Sequence, residues 1–170
     1  LQDFALQGVK PEGKVNISYT DVPVEFKDGT VVTLRKPTLK ITDLAFGEMH
    51  PKTEFSARVA PPMIGLGLLE SISKETILGF AEQQLADKQG ISGKANYVLD
   101  VQTNEMALGR FGWKAGQPNL MQQNAAAFNG DLGLTSRLFP NENCTSAQST
   151  CDDFPNGGKP EVSDNILDFV

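Results

Sequence analysis

The sequence predicts an α+β protein: a β-rich stretch over residues 1–46, then helices and much irregular loop over residues 47–170. Three observations carry that expectation. Apolar residues alternate in short runs before residue 46, around the turn signal Lys27-Asp28-Gly29. Apolar residues recur at helical spacing after Ser73. Residues 134–162 follow neither period. With 170 residues, 39% of them hydrophobic and 21% charged, one soluble globular domain is expected, with two small lobes as the alternative.

The elements follow in order. Val15 to Tyr19 alternates, and Val22 to Phe26 and Thr30 to Leu34 flank the Lys27-Asp28-Gly29 turn as a hairpin. Leu39 to Leu44 alternates again and is expected to add a third strand. Residues 47–62 read as a loop ending in Pro61-Pro62. Gly65 and Gly67 alternate with Ile64, Leu66 and Leu68, which suggests a tight turn or a close backbone approach. A helix follows, with Ser73 as cap, Glu75 favourable to the dipole, and Ile77, Ala81 and Leu85 on one face. It ends near Lys88-Gln89-Gly90.

Asn96 to Asp100 and Glu105 to Phe111 form a second expected hairpin around Gln102-Thr103-Asn104. Pro118 suits a helix start, with Leu120, Met121, Asn124, Ala127 and Phe128 on one face and Gly130 as the stop. Ser163 is placed to cap a last helix, which meets no Gly or Asn stop before Val170. That end, and a start on Leu1 rather than Met, read as the ends of a segment of a longer protein.

Charge narrows the function. The net charge is −6 and no Lys/Arg run occurs, so the electrostatic footprint of a nucleic-acid binder is missing. An acidic surface also disfavours anionic membranes. The longest apolar candidate, Ala60 to Leu69, is broken by two Pro and two Gly and is far short of a bilayer span.

The chain has two cysteines, Cys144 and Cys151, in a loop rich in Asn, Thr and Ser. The spacing is not C-x-x-C, and no His or further Cys completes a zinc set. A local disulfide is the better reading, against two unpaired surface thiols; it would add about 2–3 kcal/mol by the chain-entropy argument. A disulfide implies an oxidising compartment such as the periplasm.

Few residues suggest chemistry on their own. His50 is the only His, and no G-x-S-x-G or third-glycine phosphate motif is present. Asp87 to Asn96 resembles an oxygen-rich calcium loop only weakly, because acidic residues are missing at the alternating positions. The most distinctive stretch is Gly109-Arg-Phe-Gly-Trp113-Lys-Ala115, which holds the only Trp. That Trp is either a core anchor or a functional aromatic.

Several blocks together carry a resemblance. They are Leu1-Gln-Asp3 with Gly8-Val9 and Pro11-Glu-Gly13; Leu34-Arg-Lys-Pro37; Arg58-Val-Ala-Pro-Pro62 running into Gly65-Leu-Gly-Leu-Leu-Glu70. Then come Gly90-Ile-Ser-Gly93, Gly109 to Ala115, Gln122-Gln123, Asp131-Leu-Gly133, and Cys144 to Cys151. In this order they resemble the bacterial di-haem thiol oxidoreductases, a peroxidase-like family related to di-haem cytochrome c peroxidases.

The resemblance implies a cytochrome c peroxidase-like segment lying between two C-x-x-C-H haem attachment sequences, neither of which occurs in this chain. Two c-type haems would be attached outside it. The implied partners are the flanking haem domains and an electron-donor protein. By the same resemblance His50, a few residues before Arg58-Val-Ala-Pro61, is an axial haem ligand, with Arg58 beside it. Trp113 is an electron relay between haems, and Asp131 an acid/base for peroxide, where the related enzymes use Glu. The competing reading is a haem-independent binding or structural module for a periplasmic protein or a glycan.

Overall fold

A computed structural model describes all residues of the chain except Asp3, Phe4, Leu6, Gln7, Arg58, Pro61, Lys88, Thr150, Cys151 and Asp152. The architecture is α+β with a β-rich N-terminal part, as the sequence predicts. The chain divides into two compact units: Leu1–Val59 with Cys144–Thr150, and Ala60–Asn143 with Cys151–Val170.

The first unit is built on one antiparallel ribbon, β1 (Lys14–Glu25) and β2 (Val31–Thr42). Asp28 Oδ1 accepts from the Thr30 N–H at 3.0 Å, and Gly29 takes φ 82° in the turn. The expected third strand is not separate. Leu39 to Thr42 continues β2 and pairs with Lys14 to Ile17, so four short runs merge into two strands of 12 residues.

Pro23 and Pro37 explain how this is possible. The Phe26 N–H donates to Thr30 O at 2.8 Å, which makes 26–30 a hydrogen-bonded pair. Such pairs alternate along an antiparallel ladder, so Pro23 (opposite Thr33) and Pro37 (opposite Tyr19) fall at positions whose nitrogens point outward. A two-stranded ribbon has open edges on both strands, so neither Pro costs a ladder bond. At the root of the ribbon the Glu12 carboxylate accepts from the Gln2 N–H at 2.8 Å and from Gln148 Nε2 at 3.1 Å.

The second unit holds the other elements. α1 (Leu66–Glu70) is a short helix that replaces the expected turn, entered through Gly65 at φ 83°. α2 (Lys74–Ala86) begins where the sequence predicts, with Ser73 Oγ accepting from the Thr76 N–H at 3.1 Å. None of its described residues is buried. β3 (Tyr97–Asp100) and β4 (Glu105–Leu108) form the expected hairpin, with Asn104 in the left-handed region at φ 59°. β4 stops three residues short of Phe111, because Gly109 to Gln117 fold into a loop of their own.

α3 (Leu120–Leu132) differs from expectation at both ends. Its cap is Asn119, whose Oδ1 accepts from the Gln122 N–H at 2.8 Å, so Pro118 lies outside the helix. It passes through Gly130 and stops at Gly133, φ 69°, with that residue's N–H on Asn129 O. Its buried side is Gln122, Asn124 and Ala125 rather than a purely apolar stripe. α4 (Asp164–Phe169) starts at Ser163, whose side chain makes no cap bond.

Ala125, Val162 and Leu167 form the buried cluster of this unit, with Met121, Phe128, Leu134, Leu138 and Phe139 packed on it. Thr135 and Glu161 fasten the irregular segment to it. Glu161 Oε2 accepts from Thr135 N at 2.9 Å and Oγ1 at 3.1 Å, and Oε1 accepts from the Gly157 N–H at 2.9 Å.

Little of the apolar surface is covered. Among the described residues five hydrophobic side chains are buried, against 26 exposed large ones, including Ile64 at 94% and Val59 at 84%. The accessible surface is 13154 Å². A compact monomer of this mass exposes about 8,200 Å², and two separate compact units of these sizes about 9,800 Å².

Candidate functional site: a braced tryptophan loop

The loop from Gly109 to Gln117 is the best-organised exposed feature of the second unit. It starts from buried Leu108 at the end of β4. The Gly109 N–H donates to Asn96 O at 2.8 Å, which carries the hairpin one step further. A Cβ on Gly109 would overlap the Ala115 carbonyl oxygen and lie 2.9 Å from its carbon, so the two limbs meet only because this residue is glycine.

Four sets of bonds close the loop. The Arg110 and Phe111 N–H groups both donate to Gln117 O, at 2.8 and 3.0 Å, and the Gln117 N–H returns to Phe111 O at 3.2 Å. Asn96 Nδ2 donates to Lys114 O at 3.1 Å and Ala115 O at 3.0 Å. The Ala115 N–H donates to Gly112 O at 3.1 Å, with Gly112 at φ 77° and Ala115 at φ 48°. A non-glycine residue held in that region stores strain, which the Asn96 bonds offset. The fourth is Gln122 on α3. Its Nε2 donates to Gln117 Oε1 at 2.9 Å and to Leu99 O at 3.1 Å, and its Oε1 accepts from the Val101 N–H at 2.9 Å.

Arg110 ties the loop to α1, with Nη1 donating to the carbonyls of Leu69, Glu70 and Ile72. Glu70 in turn accepts from the Leu120 N–H at 2.8 Å, satisfying a free donor at the start of α3. The backbone is therefore fixed from three sides, and Phe111 is its buried anchor at 3% exposure. Trp113 at the tip is 64% exposed, so it is not a core anchor of this chain.

The other expected site residues lie elsewhere. Asp131 is exposed in the last turn of α3. The start of that helix adjoins the loop, and Leu120 to Asp131 spans about 16 Å along the axis. His50 is exposed and belongs to the first unit. Its Nδ1 accepts from the Lys52 N–H at 3.2 Å, in a turn closed by Thr53 N–H on His50 O at 2.8 Å. That bond leaves the proton of the neutral ring on Nε2. Ligation through Nε2 needs the opposite tautomer, usually held by Nδ1–H on an acceptor, so this turn must open first. Arg58 lies outside the described residues.

Cys144 is not a free thiol, and Cys151 lies outside the described residues. Among the described residues no group of three or more His, Cys, Asp or Glu could hold a metal ion. In the 87–96 segment considered for calcium, Gln84 Oε1 accepts from the Gly93 N–H at 2.7 Å. No described helix is long and apolar enough to cross a membrane.

Sequence reading placed Gln122 among the residues of the resemblance but did not find the bracing role of these amides. Asn96, Gln117 and Gln122 are uncharged and look like surface amides. A local sign was Gln122 standing next to the apolar Leu120-Met121 pair at a helix start.

Fold and site together define an α+β unit that presents an exposed Trp on a fixed loop and has no haem attachment sequence. The chain belongs to the di-haem oxidoreductase family: the family model described as "di-haem oxidoreductase, putative peroxidase" matches residues 2–155. No curated protein and no solved structure matches the chain.

The chain's own residues do not fit covalent haem attachment. That requires two thiols separated by two residues with the His next to the second, whereas Cys144 and Cys151 are separated by six residues, lie far from His50 in the sequence, and Cys144 is not free.

Proposed function

We propose that this chain is the part of an extracytoplasmic di-haem oxidoreductase that lies between its two haem attachment sequences. The observation that carries the reading is the match over residues 2–155 to a two-haem family by a chain with no C-x-x-C-H. The haems are then attached by flanking sequence, and this segment shapes their surroundings.

The excess apolar surface supports it. In the second unit Met63, Ile64 and Leu68 lie at least half exposed, and such side chains in water are costly unless something covers them. Flanking haem domains are the natural cover. A disulfide between Cys144 and Cys151, the only two cysteines, is the pairing consistent with Cys144 not being free, and it suits the periplasm.

Haem iron supplies the one-electron chemistry. In this reading Trp113 is the relay: its indole faces outward, and the loop beneath it holds one position. The relay therefore needs no rearrangement when the charge passes. His50 is the residue of this chain that would offer an imidazole nitrogen to the iron of a haem, and its Nδ1 would then give up the bond it accepts from the Lys52 N–H. Asp131 acts as proton acceptor and donor for a substrate at the far end of α3, well away from the relay. An electron-donor protein completes the cycle.

The test of the relay is Trp113→Phe in the full-length protein. Inter-haem electron transfer, followed after flash reduction, should slow at least about tenfold with folding unchanged, because Trp113 packs against little. An unchanged rate would remove Trp113 from the path.

A further inference from the structure

The chain holds two Asn-Gly dipeptides, Asn129-Gly130 and Asn156-Gly157. Such a pair is intrinsically reactive. The backbone nitrogen of the second residue can attack the Asn side-chain carbonyl, and glycine leaves that approach open because it carries no Cβ. The fold treats the two dipeptides differently.

Asn129-Gly130 lies inside α3, where the backbone is committed to the helical ladder. Its side chain is committed too, with Asn129 Nδ2 donating to Asn141 O at 3.0 Å. Asn156 and Gly157 are exposed in a stretch with neither helix nor strand, ahead of α4.

The second dipeptide also has a base at hand. The Gly157 N–H donates to Glu161 Oε1 at 2.9 Å, so a carboxylate stands within proton-transfer reach of the attacking nitrogen. The N–H lies in the peptide plane, whereas the nitrogen orbital that attacks a carbonyl is perpendicular to it. The bond to Glu161 therefore does not block the attack. Glu161 is itself held, its other oxygen accepting from Thr135 N at 2.9 Å and Oγ1 at 3.1 Å.

We propose that Asn156-Gly157 is a self-modification site, at which Asn156 cyclises to a succinimide with Glu161 as the proton acceptor. Gly157 N bonds to Asn156 Cγ as its proton passes to Glu161 Oε1. The Cγ–Nδ2 bond then breaks, and that proton leaves with Nδ2 as ammonia. Water adds across either carbonyl of the ring, giving aspartate or isoaspartate at position 156. No oxidant or reductant takes part.

The change acts on the fold in one direction. The ring nitrogen has no hydrogen, so Glu161 loses its Gly157 donor while the ring stands. After hydrolysis a new carboxylate adjoins the residue that Glu161 holds, and the isoaspartyl form lengthens the backbone. Both weaken the fastening of residues 157–161 to Thr135. The inference does not depend on the haem assignment.

Incubation of the 170-residue chain near neutral pH, followed by peptide mapping with mass and isoaspartate detection, tests it. Deamidation is expected in the peptide bearing Asn156, at least about tenfold faster than in the one bearing Asn129. Glu161→Gln should slow it at least about tenfold. Gly157→Ala should slow it by a similar factor with the fold kept, since the added Cβ would lie 3.3 Å from Oε1 of the flexible Glu161 side chain. The wild-type rate should be level from mildly acidic to neutral solution, as an internal base requires, and should climb with pH in Glu161→Gln. Equal rates at the two asparagines overturn the proposal. So does a Glu161→Gln chain that reacts as fast as wild type or faster, a Gly157→Ala chain with the wild-type rate, or a wild-type rate that climbs with pH throughout.

Discussion

Gln122 Nε2 donates to Gln117 Oε1 at 2.9 Å, joining a buried residue of α3 to the closing residue of the Trp113 loop. The same amide group also holds the β3–β4 hairpin, through Leu99 O and the Val101 N–H. One side chain thus sets the position of three elements around the exposed indole.

Gln122→Ala should therefore destabilise the second unit by about 2–3 kcal/mol, because it leaves the Val101 N–H and the Gln117 amide without this partner. Urea unfolding monitored by Trp113 emission measures it directly, since Trp113 is the only Trp. A loss below about 0.5 kcal/mol, typical of plain surface changes, would mean that the loop does not rely on this node.

Gly109→Ala should be harsher than its size suggests. The added Cβ meets backbone at Ala115, which cannot rotate away as a side-chain tip could. The limbs must part, with a cost of about 2 kcal/mol or more. Breaking the Asn96 bonds to Lys114 and Ala115 should also loosen the indole, seen as a fall in Trp113 fluorescence anisotropy. Wild-type anisotropy in Gly109→Ala would contradict the close approach.

Glu161 predicts a pH dependence. The Thr135 N–H bonded to its carboxylate holds it below the ordinary value of 4.5, helped by the Gly157 N–H and the Thr135 hydroxyl and opposed by partial burial. A lowered folded-state value means the folded chain holds fewer protons than the unfolded one in that range. The stabilisation is full above the ordinary carboxylate range and is lost as pH falls through the folded value. Glu161→Gln should remove this acid-range loss while lowering stability near neutrality by about 1 kcal/mol. Identical pH profiles for the two proteins would exclude Glu161 as a source.

The fold was legible in the sequence wherever a local signal acts alone. Ser73 as a cap, the Lys27-Asp28-Gly29 turn and the 102–104 turn depend on residues close in the chain, and the structure has all three. The sequence suggests a separate third strand at Leu39 to Leu44, whereas β2 runs on through Pro37 to Thr42. The ribbon accepts Pro37 because that edge of β2 has no neighbouring strand, which no local pattern states. α3 was ended too early at Gly130, since a Gly inside a helix and a Gly stopping one differ only in the φ that packing imposes; Gly133 is the one at 69°.

The candidate site was half legible. Trp113 stood out by rarity, and its exposure follows from Phe111, not Trp113, taking the buried position two residues earlier. The amides that brace it could not be read, because an Asn or Gln contributes through partners distant in sequence. Asn96 reaches Lys114 and Ala115, and Gln122 reaches Leu99.

The central proposal is that haems are attached outside this chain, on either side of the segment that presents Trp113. The most direct measurement is the reduced pyridine haemochrome of the full-length protein, alongside that of the 170-residue chain. The account predicts two c-type haems per full-length polypeptide and none in the chain alone. Fewer than two haems in the full-length protein, or a covalent haem in the 170-residue chain, would contradict it.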